Sequence, residues 1–167
     1  EPKPGGRIYA GTTHYSFGAT VRVTDDFGKE WVQLEGRPHY APETGWQLKK
    51  IWQLTPGHPS EPDTIWAGVE EGGLVVSRDR GMHWSEVSSL TRDHNRNKWF
   101  AGGGGLCLHT ILIDPKNKDR MWVGISAVGA FRTEDGGKTW KSVESPNKHV
   151  DNHAVVFHPT DPDFVLV

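Results

Sequence analysis

The sequence predicts an all-β fold, a β-propeller built from four-stranded blades, on three observations. One turn of fixed form is written three times: VTDDFGKEW ending at Trp31, SRDRGMHW at Trp84 and RTEDGGKTW at Trp140. A second fixed turn precedes each of them, with HPSEPDTIWAG (58–68) aligning without gaps on DPKNKDRMWVG (114–124). Between the turns lie short apolar strands, and a four-stranded repeat of about 50 residues is the size of a propeller blade.

The recurring turn has a local physical reading. Asp26, Asp79 and Asp135 can fold a carboxylate back onto backbone N–H groups of the same turn. Gly28, Gly81 and Gly137 supply the positive φ of a tight hairpin. Thr24, Ser77 and Thr133 end the incoming strand and add a hydroxyl bond. Trp31, Trp84 and Trp140 open the return strand, where a large aromatic packs on its neighbours.

Taken in order, with strands A to D and A nearest the axis, the chain starts inside a blade. Strands B to D of blade 1 are expected over 7–35, blade 2 over 47–88, blade 3 over 107–144 and the start of blade 4 over 152–167. One full unit reads HTILID, RMWVGI, GAFRTE and TWKSVE. The whole chain, 1–167, is therefore expected to be part of one propeller domain, about three blades of a six- to eight-bladed ring. The remaining blades would come from the same chain or from a second copy, and Glu1 as first residue suggests a processed or excised piece.

Turn lengths separate two faces. From the Pro of the A–B turn to the strand-B Gly is nine residues in all three copies, and from the box Asp to its Trp is five. The B–C segment, from Gly to box Asp, instead runs 15, 11 and 11, and the D–A segment runs 27, 30 and 18. In repeat proteins such variation collects on one face, often the one that binds.

Candidate ligand-binding residues therefore come from the variable segments. The first D–A segment, EGRPHYAPETGWQLKK, offers Arg37, His39, Tyr40, Trp46 and Lys49; the second, TRDHNRNKWFAGGGG, offers Asp93, His94, Arg96 and Trp99. The first B–C segment adds His14 and Tyr15, with Phe17 beside them. Aromatics beside cations and carboxylates suit a polar or carbohydrate ligand: flat faces to stack on, and groups that orient hydroxyls. Gly102 to Gly105 lack a following Gly-Lys-Ser/Thr and read as a close approach to strand A, not a phosphate cradle. His109 pairs with His153 at the same strand-A position, with Gln53 aligned there in the preceding copy. Imidazoles are metal ligands, but buried, hydrogen-bonded histidines are commoner; no metal and no cofactor are expected.

Composition narrows the partners. A net charge of −2 over 167 residues argues against a nucleic-acid footprint, and no apolar run approaches membrane length. The chain carries no signal-peptide pattern, and a single cysteine, Cys107, excludes an internal disulfide.

The S/T-x-D-x-G-x-T-W pattern, complete at Thr133, Asp135, Gly137, Thr139 and Trp140, resembles the Asp-box or BNR repeat of β-propellers; Glu30 and His83 replace the Thr in the other copies. Propellers with that box include sialidases, xyloglucanases, sortilin-type receptors and photosystem II assembly factors. The arrangement is most similar to bacterial BNR-repeat proteins often labelled glycosyl hydrolases. The resemblance implies that the boxes lie on the face away from an active site, so their acids are structural. It implies the same for the box tryptophans and for Trp52, Trp66 and Trp122, read as packing between blades. The expected function is a ligand-binding or scaffolding module, for carbohydrate or protein, that uses the loop face opposite the boxes. The alternative is part of a glycoside hydrolase, with Glu43, Glu70, Glu71, Asp93 and Asp151 as available acids. Sialidase activity is not expected, because no strand-A start carries the arginine that such an enzyme needs for its substrate carboxylate.

Overall fold

A computed structural model describes residues 6–16, 18–144, 154–158, 161 and 163–166. His153, Asp151, Phe17 and the Pro2 end of the first A–B turn lie outside the described residues. The described strands form antiparallel sheets in chain order. The first contains β1 (Ile8–His14), β2 (Gly18–Thr24) and β3 (Val32–Gln33). The second contains β4 (Ile51–Pro56), β5 (Ile65–Val69), β6 (Gly73–Ser77) and β7 (Ser85–Glu86). The third contains β8 (Leu108–Asp114), β9 (Asn117–Ile125), β10 (Gly129–Thr133) and β11 (Lys141–Val143), and β12 (Val156–Phe157) pairs β13 (Val165–Leu166). Each strand pairs with its neighbour in sequence, the up-and-down order of a propeller blade.

The apolar patterning explains why the sheets stack face to face. Residues of a strand point alternately to its two faces. On β5, Ile65, Ala67 and Val69 face the first sheet, joining Val21, Val23 and Leu34; Trp66 faces the third, joining Leu108, Met121 and Phe131. Both faces are covered, so all five residues of β5 are buried instead of alternating. Trp122 repeats the arrangement one sheet on, meeting Val155 and standing edge-on to Phe157 at 5.1 Å.

The strand-B glycines permit this approach. A Cβ on Gly11 would sit 2.9 Å from Ile51, one on Gly68 2.6 Å from Leu108 Cδ2, and one on Gly124 3.3 Å from Val155. Each glycine lets the next sheet's first strand press onto the backbone.

The first hairpin differs from its expected form. Its four extra residues do not make a loop: β1 and β2 extend, pairing Thr12 with Thr20 and His14 with Gly18. β-branched threonines suit the extended form, and the Thr12 and Thr20 hydroxyls bond at 2.8 Å. The D–A segments, read as variable loops, hold a short helix α1 (Ser88–Thr91) and single 3₁₀ turns at Pro42–Thr44 and Arg96–Lys98.

The recurring turns close by the same bonds. Gly81 N–H donates to Ser77 Oγ at 2.8 Å, Ser77 donates to Asp79 at 2.8 Å, and His83 N–H donates to the same carboxylate oxygen at 2.9 Å. Thr24/Asp26 and Thr133/Asp135 repeat the scheme. These donors hold the carboxyls below the usual range: Asp79 falls to about 2, through the His83 N–H and ring and then Ser77. The glycines have φ of +90°, +91° and +87°, and the residue before each is left-handed as well: Phe27, Arg80 and Gly136. Two successive left-handed residues are the signature of a type I′ turn.

The box tryptophans share no single environment. Trp84 is buried against the first sheet and Trp140 packs beside Phe131, whereas Trp31 is 39% exposed and lies over its own Gly28. Packing between blades holds for Trp84, Trp140, Trp66 and Trp122 and fails for Trp31 and Trp52.

Candidate functional site

The two kinds of turn separate to opposite ends of the sheets. Box turns meet A–B turns: Arg80 N–H donates to Asp63 O at 2.9 Å and Gly136 N–H to Asp119 O at 2.9 Å. D–A segments meet B–C turns: Gly72 N–H donates to Leu106 O at 2.6 Å and Ser126 N–H to Cys107 O at 3.0 Å. The variable segments begin near the boxes, where Ser89 Oγ donates to Gly137 O at 2.5 Å, and then run to the far end.

At that far end the B–C turn Glu70–Glu71–Gly72 is the hub. Glu71 and Gly72 are both left-handed, with φ of 69° and 66°. The Tyr40 hydroxyl donates to Glu70 O, and the Arg96 guanidinium donates to Glu71 O. Arg96 is stacked between two indoles, its Cζ 4.6 Å from Trp46 and 4.6 Å from Trp99. Burial pushes the Arg96 guanidinium down, and Tyr40 and Glu71 oppose that shift. Tyr40 stands edge-on to Trp46 at 5.5 Å, and burial pushes its phenol well up.

A shallow cleft of about 360 Å³ opens beside this stack, lined by Trp46, Asp93, Arg96, Glu43 and Arg92. Arg92 binds Glu43 at 3.0 Å and approaches Glu86 at 3.5 Å. Asp93 accepts Asn95 N–H at 2.7 Å, which forms the loop's own turn. His94 is exposed and its ring meets Asn95 at 2.7 Å.

Nearer the axis, Trp52 is 41% exposed and donates its indole N–H to Glu70 at 3.1 Å. Lys50 lies 5.3 Å over the Trp52 ring, and Lys49 binds Glu71 at 2.7 Å. The β4 register is shifted between Ile51 and Gln53, and β8 is shifted between Leu108 and Thr110. Gln53 pairs Gly68 as Thr110 pairs Gly124, so the residue equivalent to His109 is Trp52, not Gln53. Both strands carry the same bulge; the correction arises because the connection from Pro56 to its partner Ile65 is one residue longer than that from Ile113 to Met121. His109 is half-buried, with Nδ1 3.0 Å from the Thr110 hydroxyl and a buried Nε2 that has no partner among the described residues.

The structure does not gather all the candidates. Trp46, Asp93 and Arg96 line one cleft. His14 and Arg37 line another of about 540 Å³ on the first sheet, with Tyr15 stacked on His14 at 4.5 Å and 96% exposed. His39 bonds the Arg37 carbonyl at 3.0 Å. Tyr40, read as a ligand contact, is only 4% exposed and supports the face from beneath. Trp52 went unread as a site residue because its outward aim depends on the bulge. Among the described residues no group of three His, Cys, Asp or Glu side chains is placed to hold a metal ion. Among them, too, no helix is long and apolar enough to cross a membrane.

Sheets, boxes and loop face define a β-propeller module of the Asp-box class. The chain belongs to the Sortilin-Vps10 family (sortilin, neurotensin receptor 3), whose family model matches residues 72–167. Over 101 residues it is 27% identical to the oligoxyloglucan-reducing end-specific xyloglucanase of Emericella nidulans, a match covering 60% of this chain and 12% of that protein. The chain thus spans about an eighth of that relative's length. Two solved structures share the fold. The GH74 xyloglucanase from Xanthomonas campestris has a TM-score of 0.55 at 21% identity, covering 82% of this chain and 21% of that one. YCF48 bound to D1 peptide has a TM-score of 0.57 at 19% identity, covering 98% and 44%.

Proposed function

We propose that this module binds an extended polar ligand, a carbohydrate, across the loop face opposite the boxes. One observation carries the reading: indole surface is held open at that end by buried and half-buried partners. Trp46 is 36% exposed and Trp52 41%, and Arg96, Glu70 and Tyr40 brace them from below. A pre-set aromatic surface loses little freedom on binding, which is what makes it a good platform. Lys49, Glu71, Glu43 and Arg92 surround it with groups that orient hydroxyls.

A second reading, a share in glycoside hydrolysis, is favoured by the likeness to a xyloglucanase. Hydrolysis needs one carboxylic acid held protonated near neutral pH. The carboxyls with a resolved shift, such as Glu43 and Asp114, are shifted down, and Glu70 and Glu71 already serve Trp52 and Lys49. Binding is therefore the better reading.

Titration with a xyloglucan oligosaccharide, followed by tryptophan fluorescence and by release of new reducing ends, tests both. The binding reading expects saturable quenching without new ends, weakened about tenfold or more by Trp52→Ala. New reducing ends, abolished by Glu70→Gln or Glu71→Gln, would establish the second reading. Quenching untouched by Trp46→Ala and Trp52→Ala would refute the loop face as the binding surface.

A further inference from the structure

We propose that the outer groove between the second and third sheets is an oxyanion site that takes a phosphate or sulfate monoester. It lies at the box end, away from the loop face, and does not rest on the binding proposed there. The cleft measures about 680 Å³, larger than the one beside Trp46, and runs from β6 and β7 across to the box turn of the third sheet.

Two cations reach it from different blades. Arg78 is the residue between Ser77 and Asp79 of the second box, and Lys138 follows Gly137 in the third. Both are exposed, and among the described residues neither side chain makes a hydrogen bond or ion pair; Arg78 has only the Trp66 face, 5.7 Å from its Cζ. Ser85 and Ser88 line the same groove with hydroxyls that bond nothing among the described residues. The groove's two carboxylates are each engaged by a cation or by the box, although the buried Glu86 Oε1 makes no hydrogen bond among the described residues. Asp79 is held by its box and by His83 Nδ1 at 2.6 Å. Glu86 accepts Ala41 N–H at 2.8 Å and faces Arg92. That leaves two unanswered positive charges and two free hydroxyls facing one cleft, a donor set for a tetrahedral oxyanion.

The repeat supplies an internal contrast. At the Arg78 position the first and third boxes carry Asp25 and Glu134, and at the Lys138 position the second carries Met82. The cleft of about 620 Å³ between the first and second sheets also holds arginines, but each is spent: Arg7 binds Asp25 at 2.8 Å and Arg80 binds Asp63 at 2.5 Å. Lys29 of the first box also has no ion pair among the described residues, so it is two such cations lining one cleft, and not a single free lysine, that sets this groove apart. A volume well beyond one tetrahedral ion favours an ester on a polar body over a free ion.

Calorimetric titration of the intact protein with glucose 6-phosphate, glucose 6-sulfate and unesterified glucose is the test. Both esters should bind and glucose should not. A tighter phosphate ester would identify the dianion as the preferred form; equal affinities would mean that one charge and the tetrahedral oxygens suffice. Arg78→Gln and Lys138→Gln should each weaken ester binding about tenfold, and Arg78→Lys should restore part of the loss. Lys29→Gln, at the same box position as Lys138 but outside this cleft, should change nothing. Esters that bind no better than glucose, affinities indifferent to Arg78→Gln and Lys138→Gln, or an equal loss from Lys29→Gln would each overturn the proposal.

Discussion

Replacing Gly73 with alanine tests how the loop face is braced. A Cβ there would sit 2.5 Å from Tyr40 Cε1 and 2.8 Å from Cζ, where ordinary contact begins at 3.4 Å. Gly73 is absent from the residues with positive φ, so the clash with the ring is the whole perturbation. Tyr40 is 4% exposed, and displacing it forfeits its burial, about 2–3 kcal/mol. Loss of the hydroxyl bond to Glu70 O adds about 1 kcal/mol. Partial rearrangement lowers the total, so Gly73→Ala should cost about 2–4 kcal/mol. Tyr40→Ala alone should cost about 3–5 kcal/mol, as large-to-small changes of buried aromatics do. Once the ring is gone the new methyl has nothing to strike, so the double variant should cost scarcely more than Tyr40→Ala. Urea unfolding followed by tryptophan fluorescence measures all three, and the cycle isolates the coupling. Additive losses, or Gly73→Ala within about 0.5 kcal/mol of the parent, would refute the argument.

Three further outcomes are expected. Asp135→Ala should lower the melting temperature, by removing the bonds to Thr133, Lys138 and Thr139, while leaving loop-face binding unchanged; binding lost at unchanged melting would contradict the separation of the two ends. The box carboxyls are held below their unfolded value near 4, so their contribution is present above about pH 4 and fades as pH falls through the folded value, about 2 for Asp79. Acid titration of melting temperature should show that loss, and Asp79→Asn should flatten it. Gly81→Ala should destabilise more than Gly137→Ala in thermal melts: both glycines are left-handed, but the new methyl meets Leu34 at 2.6 Å in the first case and nothing nearer than 3.5 Å in the second.

How much of this was legible in the sequence depends on the range of the interactions. The box turns could be read from nine residues because the bonds that close them join Thr24, Asp26, Gly28 and Glu30 to one another. Phe27 and Arg80 hid the second left-handed residue, since neither side chain signals that backbone form. The bulge that turns Trp52 outward is set by pairing with β5, so no local pattern in IWQLTP marks it. Arg96 between Trp46 and Trp99 was invisible as a stack for a similar reason: Trp46 lies far off in the chain, and Arg96 and Trp99 meet only because a 3₁₀ turn separates them. Candidate residues were found by type, but their sorting into contacts and supports needed three dimensions.

The clasped turns give each hairpin a zero mark. With one end held by box and A–B bonds, any length difference must be taken up at the other end. There it comes in steps set by the two-residue period of a strand. The first B–C hairpin is longer by four residues, two per strand, so the side chains approaching its tip keep the facing of those in the shorter hairpins. One residue added per strand would invert them, presenting to solvent what should face the neighbouring sheet. Grafting onto this face should therefore succeed in increments of four residues and fail, or refold the tip, in increments of two.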